Sequence, residues 1–543
     1  MIVRGLVYRR FSVAVRVLLF AIIFSVGAGP QPAFAQTSPP VKLLGGLPWP
    51  GVSALIPYRG KLWFANSVKF VNHNSADLYS FDPANEKTRY EKHLFSQDAG
   101  HPVVAGGLLY WPFEDSRFSP GHGEFMVTNG EDWNWHLIPK GRAFHTQVMQ
   151  AQSNRLYAGI SAWVGKIVVS DDSGTSWREF YTFPTPDRRV SRITALADLN
   201  GTVFAGVTTW YDNKAPKLLM QKAGSMVPVP DWPAGAAVDE IIVHKGWVYA
   251  ANEGPTESVL WRTDGKTVER VGGPSGVVNA LASDGETIWA ITARKGAGAL
   301  WRSLDGLRWE EVQKFDNARP LDVAVMGGQP YVELLSDEGG ELWGYSKRTS
   351  VVVDAHRPSL PPKLKRPQAE ISAALKNLDD IMGDVSRYQG LRFAMGPLSA
   401  ARTLEVSDAL AKRLKGPFPE GAARMFGRRQ IPAAKMAQWY LLWGIAHNGR
   451  GYVPLRYLRD PWTSKANRAE KYIEPVLAAI WTMRELGQDD DATLAALIAR
   501  LDFKDDPKWV TGDVIGALTD LTGKRFGYDR NAWRRWWRSR NQP

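Results

Sequence analysis

The sequence predicts a mixed multidomain protein, with an all-β seven-bladed propeller followed by an all-α domain. Three observations indicate this fold class. Strand-like apolar segments recur from about residue 41 to 355 with a period of roughly 40 to 45 residues, which is typical of propeller blades. A proline-rich, basic linker at 356–367 then ends the repeat. From 368 to 543 the apolar residues follow the period of a helix.

The first 35 residues have the composition of a secretory signal peptide. Arg4, Arg9 and Arg10 precede an apolar run at 17–26, and small residues at 33 and 35 form a cleavage site. A single membrane anchor is the alternative, although the run is short for a membrane span. The paired arginines leave the export route open, general secretory or twin-arginine. We therefore expect a bacterial protein that is periplasmic or secreted, with membrane contact only through export.

The composition excludes several classes of function. The 543-residue chain has no cysteine and a formal net charge of +12. The absence of cysteine excludes disulfides, thiolate chemistry and cysteine-based zinc or iron–sulfur sites. The positive net charge is compatible with binding to anionic glycans or to a membrane surface, and equally with a role in solubility alone. No motif indicates a nucleotide-binding loop. We expect no cofactor, no metal site and no nucleic-acid partner.

Seven similar segments are predicted to form the second strand of each blade. In each of them an aromatic residue lies among apolar neighbours. They are 61–64, 108–111, 155–158, 202–205, 247–250, 287–290 and 330–332. A single four-stranded sheet cannot bury both of its faces, whereas seven sheets in a ring can. The count of these segments therefore predicts seven blades.

The stretch 170–177 contains the clearest local motif of the chain, Ser-x-Asp-x-Gly-x-x-Trp, which begins at Ser170. Gly174 permits a positive φ, and the Asp172 carboxylate can accept hydrogen bonds from amides of its own turn. Trp177 is expected to bury its indole between neighbouring sheets. Degenerate copies occur in other blades, at 128–133, 262–265 and 303–309. The motif predicts a hairpin turn that recurs along the chain.

Over residues 41–355 this motif and the repeat resemble the Asp-box, or BNR, repeats of sialidase-like β-propellers. The four motif residues are structural in that family, so the resemblance gives them no catalytic role. Sialidases bind the substrate carboxylate with three arginines, the first in an Arg-Ile-Pro stretch of blade 1. Leu55 occupies that position here, and Arg59 falls in the following turn. Arg192 and Arg294 could supply other members, but no spacing requires it.

The C-terminal region is predicted to contain amphipathic helices at 369–382, 433–447, 469–486, 492–501 and 509–521. About the last 50 residues resemble the terminal unit of bacterial HEAT-like helical repeats. In that unit Gly523 would cap one helix and Asp529 would start the next. Helical repeats of this kind mostly form protein-contact surfaces, so the resemblance implies a protein partner or a brace for the ring.

Two C-terminal features have alternative interpretations. The acidic run 489–491 could bind a metal, but its position before a predicted helix favours N-terminal capping. Trp533, Trp536 and Trp537 lie on one helical face beside several arginines. That face could bind a membrane or an anionic polymer, and packing onto the preceding helix is the alternative that we favour.

The first candidate site is a polar ring at the start of the inner strands. Each predicted blade contributes one polar residue there, and the alternative is that these residues simply solvate the mouth of the channel. The ring contains Ser53, His101, Thr146, Thr194, Asp239, Asn279 and Asp322, with His145 and Arg192 next to it.

The second candidate site is the set of variable loops on the same predicted face. Exposed Trp and Tyr beside Arg and Glu suit sugar rings or peptide side chains, whereas blade-edge packing is the alternative for each aromatic residue. The set comprises His73, Glu114, Arg117, His122, Trp163, Trp210, Tyr211, Glu253, Arg294 and Lys295.

The function favoured by these observations is binding of a glycan or a protein by the propeller face, without catalysis. The alternative is a carbohydrate-active enzyme, either a sialidase-like hydrolase or a polysaccharide lyase, which needs an arginine beside a proton-abstracting His or Tyr. The catalytic candidates are His101, His122, His145, Arg192 and Tyr211. The ligand-binding candidates are Glu114, Arg117, Trp163, Trp210, Asp239, Arg294 and Asp322.

Overall fold

Seven four-stranded antiparallel sheets form a β-propeller in the computed structural model, and a region of helices follows them. The predicted fold class is therefore confirmed. The structure describes residues 40–543 except 46, 68–75, 95, 115–122, 139–142, 144, 212–214, 235–236, 253–257, 295–296, 336–338, 346–355, 364–365, 400, 426–428, 450, 460–473 and 541–543. The predicted signal peptide, including the alternative membrane anchor, lies outside these residues. Among the described helices, none combines the length and apolarity that a bilayer span requires.

Each of the first six blades is a meander of four consecutive strands. Blade 1 comprises β2 (Gly51–Tyr58), β3 (Lys61–Ser67), β4 (Ala76–Asp82) and β5 (Lys87–Leu94). Blade 2 comprises β6 (Val103–Ala105), β7 (Leu108–Pro112), β8 (Gly123–Thr128) and β9 (Trp133–Ile138). Blade 3 comprises β10 (His145–Gln152), β11 (Arg155–Ser161), β12 (Gly165–Ser170) and β13 (Arg178–Thr182).

The next three blades repeat this order. Blade 4 comprises β14 (Ser191–Leu199), β15 (Thr202–Thr209), β16 (Leu218–Lys222) and β17 (Ser225–Pro228). Blade 5 comprises β18 (Val238–His244), β19 (Trp247–Asn252), β20 (Val259–Thr263) and β21 (Val268–Arg270). Blade 6 comprises β22 (Val277–Ser283), β23 (Ile288–Arg294), β24 (Ala297–Ser303) and β25 (Glu310–Asp316). All the segments predicted as second strands occupy that position, so this prediction is confirmed.

Blade 7 is built from both ends of the propeller sequence. It contains β26 (Arg319–Met326), β27 (Gln329–Leu335) and β28 (Glu341–Gly344), and its outer strand is β1 (Val41–Leu44). Val41 pairs with Gly344, and the Lys42 ammonium lies 2.5 Å from the Glu341 carboxylate. The first strand of the ring therefore completes the last sheet, which closes the ring without an unpaired outer edge on β28.

The turn predicted from the Asp-box motif is present between β12 and β13. The Asp172 carboxylate accepts hydrogen bonds from the amide and the hydroxyl of Ser176, at 2.8 and 2.6 Å. Gly174 has φ +88°, and Trp177 is buried. The three degenerate copies occupy the corresponding third-to-fourth-strand turns of blades 2, 5 and 6. The motif thus reports a recurrent turn, and it lies at the end of the blade away from the ring residues.

We expect Asp172→Ala to lower the free energy of unfolding by about 1 kcal/mol. The substitution removes the acceptor for three hydrogen bonds, from the Ser170 hydroxyl and from the amide and hydroxyl of Ser176, but it removes no buried apolar area. Chemical denaturation of the two proteins measures the difference. Asp187→Ala, at another exposed position, is the control. Equal stability of both variants and the wild type would contradict the prediction.

The C-terminal region is mainly helical. Its helices are α1 (Gln368–Met382), α2 (Leu391–Ser399), α3 (Leu404–Leu414), α4 (Ala433–Asn448), α5 (Arg456–Arg459), α6 (Pro475–Glu485), α7 (Asp491–Arg500), α8 (Lys508–Thr522) and α9 (Arg530–Arg540). A 3₁₀ helix (Val385–Gly390) and a hairpin of β29 (Ala422–Met425) and β30 (Arg429–Pro432) complete it.

The predicted helix ends and packing are mostly as expected. The Asp490 carboxylate accepts from the Thr493 amide, so the acidic run caps α7. Gly523 ends α8 in the left-handed conformation, and the Asp529 carboxylate accepts from the Ala532 amide at the start of α9. Trp533 is fully buried, which agrees with the packing interpretation. The HEAT-like resemblance stays a prediction.

The helices and blades 1 and 2 share one hydrophobic core. Trp135 of β9 stacks on His447 of α4 with a ring-centroid distance of 3.6 Å, and Trp481 of α6 meets Trp135 edge-on. Residues of β2, β3, β4 and β7 belong to the same buried cluster. The segment after the propeller also follows blade 2, because Asn129 and Asn134 donate to backbone carbonyls of Pro358 and Pro361. The helical region therefore supports one side of the ring.

A buried charged contact joins the two regions at the edge of blade 1. The ring nitrogens of His93 on β5 lie 2.7 Å from the Asp77 carboxylate of β4 and 2.6 Å from the Asp513 carboxylate of α8. All three side chains are completely buried. Burial by itself lowers the pKa of His93, but the hydrogen bonds to Asp513 and Asp77 and their charges outweigh it and raise the pKa. The two carboxylates therefore favour the protonated, cationic form of His93.

Candidate functional site

The upper face of the propeller is the face on which the inner strands begin. The connections between blades and the turns between second and third strands lie on it, because each second strand runs antiparallel to its inner strand. Irregular pairing occurs in the inner strands of all blades except blade 2, beside the ring residues. Such a bulge places an extra residue in one strand and redirects its side chains.

Several ring residues join neighbouring blades. The Thr194 hydroxyl donates to the Val238 carbonyl at 3.1 Å, and the Asn279 amide donates to the Pro320 carbonyl at 2.6 Å. The Asp322 carboxylate accepts from the Leu55 amide at 2.9 Å. These contacts tie blades 4 to 5, 6 to 7 and 7 to 1. Hydrogen bonding between inner strands is therefore one role of the ring that neither sequence interpretation included.

Some ring residues are buried, whereas others line the central channel. Ser53 donates to the Asp98 carboxylate at 2.9 Å, and the Thr146 hydroxyl accepts from the Glu124 amide at 3.1 Å. Both Ser53 and Thr146 are buried. His101 is exposed, and Asp239 and Asp322 are half-buried and line the channel. The structure therefore brings His101, Asp239 and Asp322 together, whereas Thr146 does not line the cavities described below.

Two adjoining cavities of about 340 and 370 Å³ lie where the seven inner strands meet. Both include His101, Glu240 and Asp322. Asp98, Glu114, Asp198 and Asp239 add further carboxylates, and the described residues that line the two cavities include no lysine or arginine. The channel is therefore acidic, which differs from the anion-binding funnel that an acidic-sugar enzyme needs at the axis.

Glu240 is a channel residue that sequence reasoning missed. Burial, and then the charges of Asp322 and Asp239, raise the pKa of Glu240 well above its usual value. Its carboxylate lies 4.0 Å from Nε2 of His101. A raised pKa lets Glu240 keep its proton at a higher pH than an exposed glutamate does. This protonation lowers the repulsion among the channel carboxylates.

His145 and Arg192 lie together at the rim of the upper face. Nδ1 of His145 donates to the Glu114 carbonyl oxygen, which can only accept, so the neutral ring presents Nε2 as its acceptor. Nε2 lies 3.3 Å from Nη2 of Arg192, and Nη1 of the same guanidinium lies 3.8 Å from the Glu114 carboxylate. Burial, and then the Arg192 charge, lower the pKa of His145 to about 4. His145 is therefore neutral at pH 7.

Two exposed tryptophans stand beside this group. Trp163 in the β11–β12 turn and Trp210 after β15 are 61% and 62% exposed. The Arg192 guanidinium lies 4.5 Å from the centre of the Trp210 ring, a cation–π distance. Tyr211 follows Trp210 and is half-buried. We call Trp163 and Trp210 the tryptophan pair.

Other predicted loop residues are placed only in part. His73, Arg117, His122, Glu253 and Lys295 lie outside the described residues. Arg294 is the last residue of β23. Arg59, which stands after the missing sialidase arginine, lies in the β2–β3 turn at the opposite end of the blade and donates to the His356 carbonyl. Among the residues that the structure describes, no group of three or more His, Asp or Glu is placed to hold a metal ion.

The comparisons with known proteins identify no family. No family model matches the chain, and no curated protein sequence matches it. Solved structures match about half of this chain. The computationally designed protein Ika8 is 12% identical, with 56% of this chain and 99% of that chain covered and a TM-score of 0.37. Trypanosoma rangeli sialidase is 13% identical, with 48% and 56% covered and a TM-score of 0.33.

A third solved structure is the extracellular domain of a protein proposed to be a one-component system, from B. thetaiotaomicron. It is 14% identical, with 56% of this chain and 40% of that chain covered and a TM-score of 0.40. At these identities the likeness concerns the propeller fold alone.

Proposed function

We propose that this chain is an exported bacterial binding protein whose upper propeller face recognises a ligand without transforming it. The observation that carries the proposal is the tryptophan pair. Two indoles on neighbouring blades are about three-fifths exposed, so folding leaves most of each ring uncovered. Indole faces suit the C–H faces of sugar rings, so a glycan is the ligand that we favour over a protein.

The arrangement of His145 supports binding over catalysis. A general base needs an accessible lone pair and a pKa near the working pH. The lone pair on Nε2 of His145 faces the Arg192 guanidinium, and the pKa of His145 is lowered to about 4. Arg192 itself interacts with Trp210 and Glu114. The contacts therefore hold both residues as a fixed polar support for the tryptophan pair.

The helical region supplies the second part of the proposal. Its helices share a buried core with blades 1 and 2, while the tryptophan pair lies on blades 3 and 4. We propose that the helices brace the ring and leave the binding face open. Their remaining surface is available to a protein partner, as the HEAT-like resemblance implies.

We expect Trp163→Ala and Trp210→Ala each to weaken ligand binding about tenfold, because each removes an exposed aromatic contact surface. A glycan array probed with the purified chain identifies the ligand, and calorimetric titration then measures the dissociation constants. Trp247→Ala is the matched control, since Trp247 also stacks on an arginine, Arg262, but at the opposite end of blade 5. The proposal is contradicted if no glycan on the array binds the chain. It is also contradicted if the Trp163, Trp210 and Trp247 variants all have the same dissociation constant.

One observation favours an enzyme as the second candidate function. A polysaccharide lyase needs an arginine beside a proton-abstracting group, and Arg192 lies 3.3 Å from His145. The test is incubation of the chain with sialosides and uronate polymers, followed by detection of cleaved products. We expect no turnover. Cleavage that His101→Ala or Arg192→Ala abolishes would show that the face is catalytic.

A further inference from the structure

The connection between blades 3 and 4 holds the tryptophan pair in place. The Ser191 amide donates to the Trp163 carbonyl, and the Trp210 amide donates to the Val190 carbonyl, both at 2.9 Å. Consecutive residues of one connection are thus bonded to the two tryptophans. These bonds therefore fix the main chain of Trp163 relative to that of Trp210.

Further hydrogen bonds order this connection before any ligand arrives. The Phe183 amide donates to the Gly165 carbonyl at 2.9 Å, and the Gly165 amide donates to the Ser191 hydroxyl at 2.8 Å. The hydroxyls of Thr185 and Ser191 lie 2.5 Å apart. Binding to an ordered surface avoids the entropy cost of ordering a loop. The surface formed by the tryptophan pair and residues 183–191 is therefore preorganised.

The same connection carries exposed positive charge. Arg188 and Arg189 are both exposed, and Asp187 beside them is exposed as well. The ion pairs found among the described residues do not include Arg188 or Arg189. Arg188 has φ +60°, and the Arg189 amide donates to the Pro186 carbonyl, so a turn holds both residues. Arg192 places a third guanidinium under the Trp210 ring.

We infer that this surface binds an acidic oligosaccharide whose carboxylates are on pyranose rings. Pyranose rings stack on the exposed indoles of the tryptophan pair, and carboxylates accept paired hydrogen bonds from the Arg188 and Arg189 guanidinium groups. The inference rests on the proposed function and narrows its ligand class. The channel carboxylates repel anions. We therefore expect the carboxylates of the ligand to face residues 183–191 and to point away from the channel.

The experiment compares uronic-acid hexamers with their neutral methyl esters. Oligogalacturonate, oligoalginate and hyaluronan fragments are titrated into the full chain at low salt, each in the acid and the esterified form. We expect at least one acid form to bind about tenfold more tightly than its ester, since one guanidinium–carboxylate contact gives an effect of that size. Arg188→Gln with Arg189→Gln is expected to remove the preference. Arg308→Gln, an exposed arginine on the opposite face, is the matched control.

The outcomes separate this inference from the proposed function. If acid and ester bind equally and Trp163→Ala weakens both, the acidic-ligand inference is overturned and the binding function stands. The same holds if the double arginine variant keeps the full preference. If no acidic oligosaccharide binds but neutral glycans do, the inference again fails alone. If neither class binds, both the inference and glycan recognition fail.

Discussion

Replacing Asp513 with alanine is expected to lower the free energy of unfolding by about 3 to 5 kcal/mol. Asp513 lies on α8 and contacts His93 of blade 1, which also contacts Asp77, and all three side chains are completely buried. Removal of the Asp513 carboxylate leaves the buried, protonated His93 with only the Asp77 carboxylate as its anionic contact. Because this contact joins the helices to the ring, the loss destabilises both regions. Denaturant unfolding followed by fluorescence measures the change.

Asp379→Ala is the matched control for Asp513→Ala. Asp379 accepts two hydrogen bonds from Arg413, but its side chain is 57% exposed. Exposed ion pairs contribute about 0 to 1 kcal/mol, so this variant is expected to stay close to the wild type. Similar effects of the two substitutions would show that the His93 contact is not a principal connection between helices and ring.

The same contact predicts how stability depends on pH. The folded-state pKa of His93 is raised above its ordinary value of 6.5. A raised pKa means that the stabilising contribution is fully present below about pH 6.5 and is lost as the pH rises through the folded-state pKa. We therefore expect the stability difference between the wild type and His93→Gln to decrease from pH 6 to pH 9. A difference that is constant or increases over this range contradicts the assignment of a cationic His93.

Deletion of β1 is expected to lower the free energy of unfolding by at least about 3 kcal/mol and to promote aggregation. The deletion leaves β28 as an unpaired edge and removes the Lys42 ammonium that forms an ion pair with Glu341, whose side chain is only 8% exposed. It also removes Leu43 and Leu44, which pack against the core between blades 7 and 1. Thermal unfolding and light scattering of the truncated chain measure both effects.

The control for the β1 deletion is a chain that begins at Pro40 and keeps this strand. We expect that chain to unfold like the full protein under the same conditions. If the chain without β1 is equally stable, ring closure does not depend on the N-terminal strand. The chain without β1 begins at Gly45, so the comparison isolates the contribution of residues 40–44, and residues 1–39 are absent from both chains.

Local patterns were sufficient to predict the repeated elements. Each second strand has an aromatic residue among apolar neighbours, because these strands are buried along almost their whole length. That pattern can be recognised from neighbouring residues alone. The turn at 170–177 was predictable for the same reason: Gly174 supplies a positive φ, and Asp172 accepts hydrogen bonds within its own turn. These features depend on residues a few positions apart.

The candidate site was predictable only in part. The approximate positions of His101, Asp239 and Asp322 followed from the repeat, but Glu240 did not. Irregular pairing between Val238 and Glu240 interrupts the alternation of the inner strand, so both Asp239 and Glu240 line the channel. A bulge has no distinctive residue type here, and a period-two pattern therefore assigns Glu240 to the wrong side.

The number of blades, the recurrent turn and the change from strands to helices follow from the amino-acid sequence, because each is a pattern of neighbouring residues. Three features became visible only in the folded chain: β1 completes blade 7, His93 lies between Asp77 and Asp513, and the two tryptophans of the pair are bonded to one connection. His93 and Asp513 are 420 positions apart in the chain. Contacts at such separations depend on how whole elements pack, and no local spacing of residues specifies that packing.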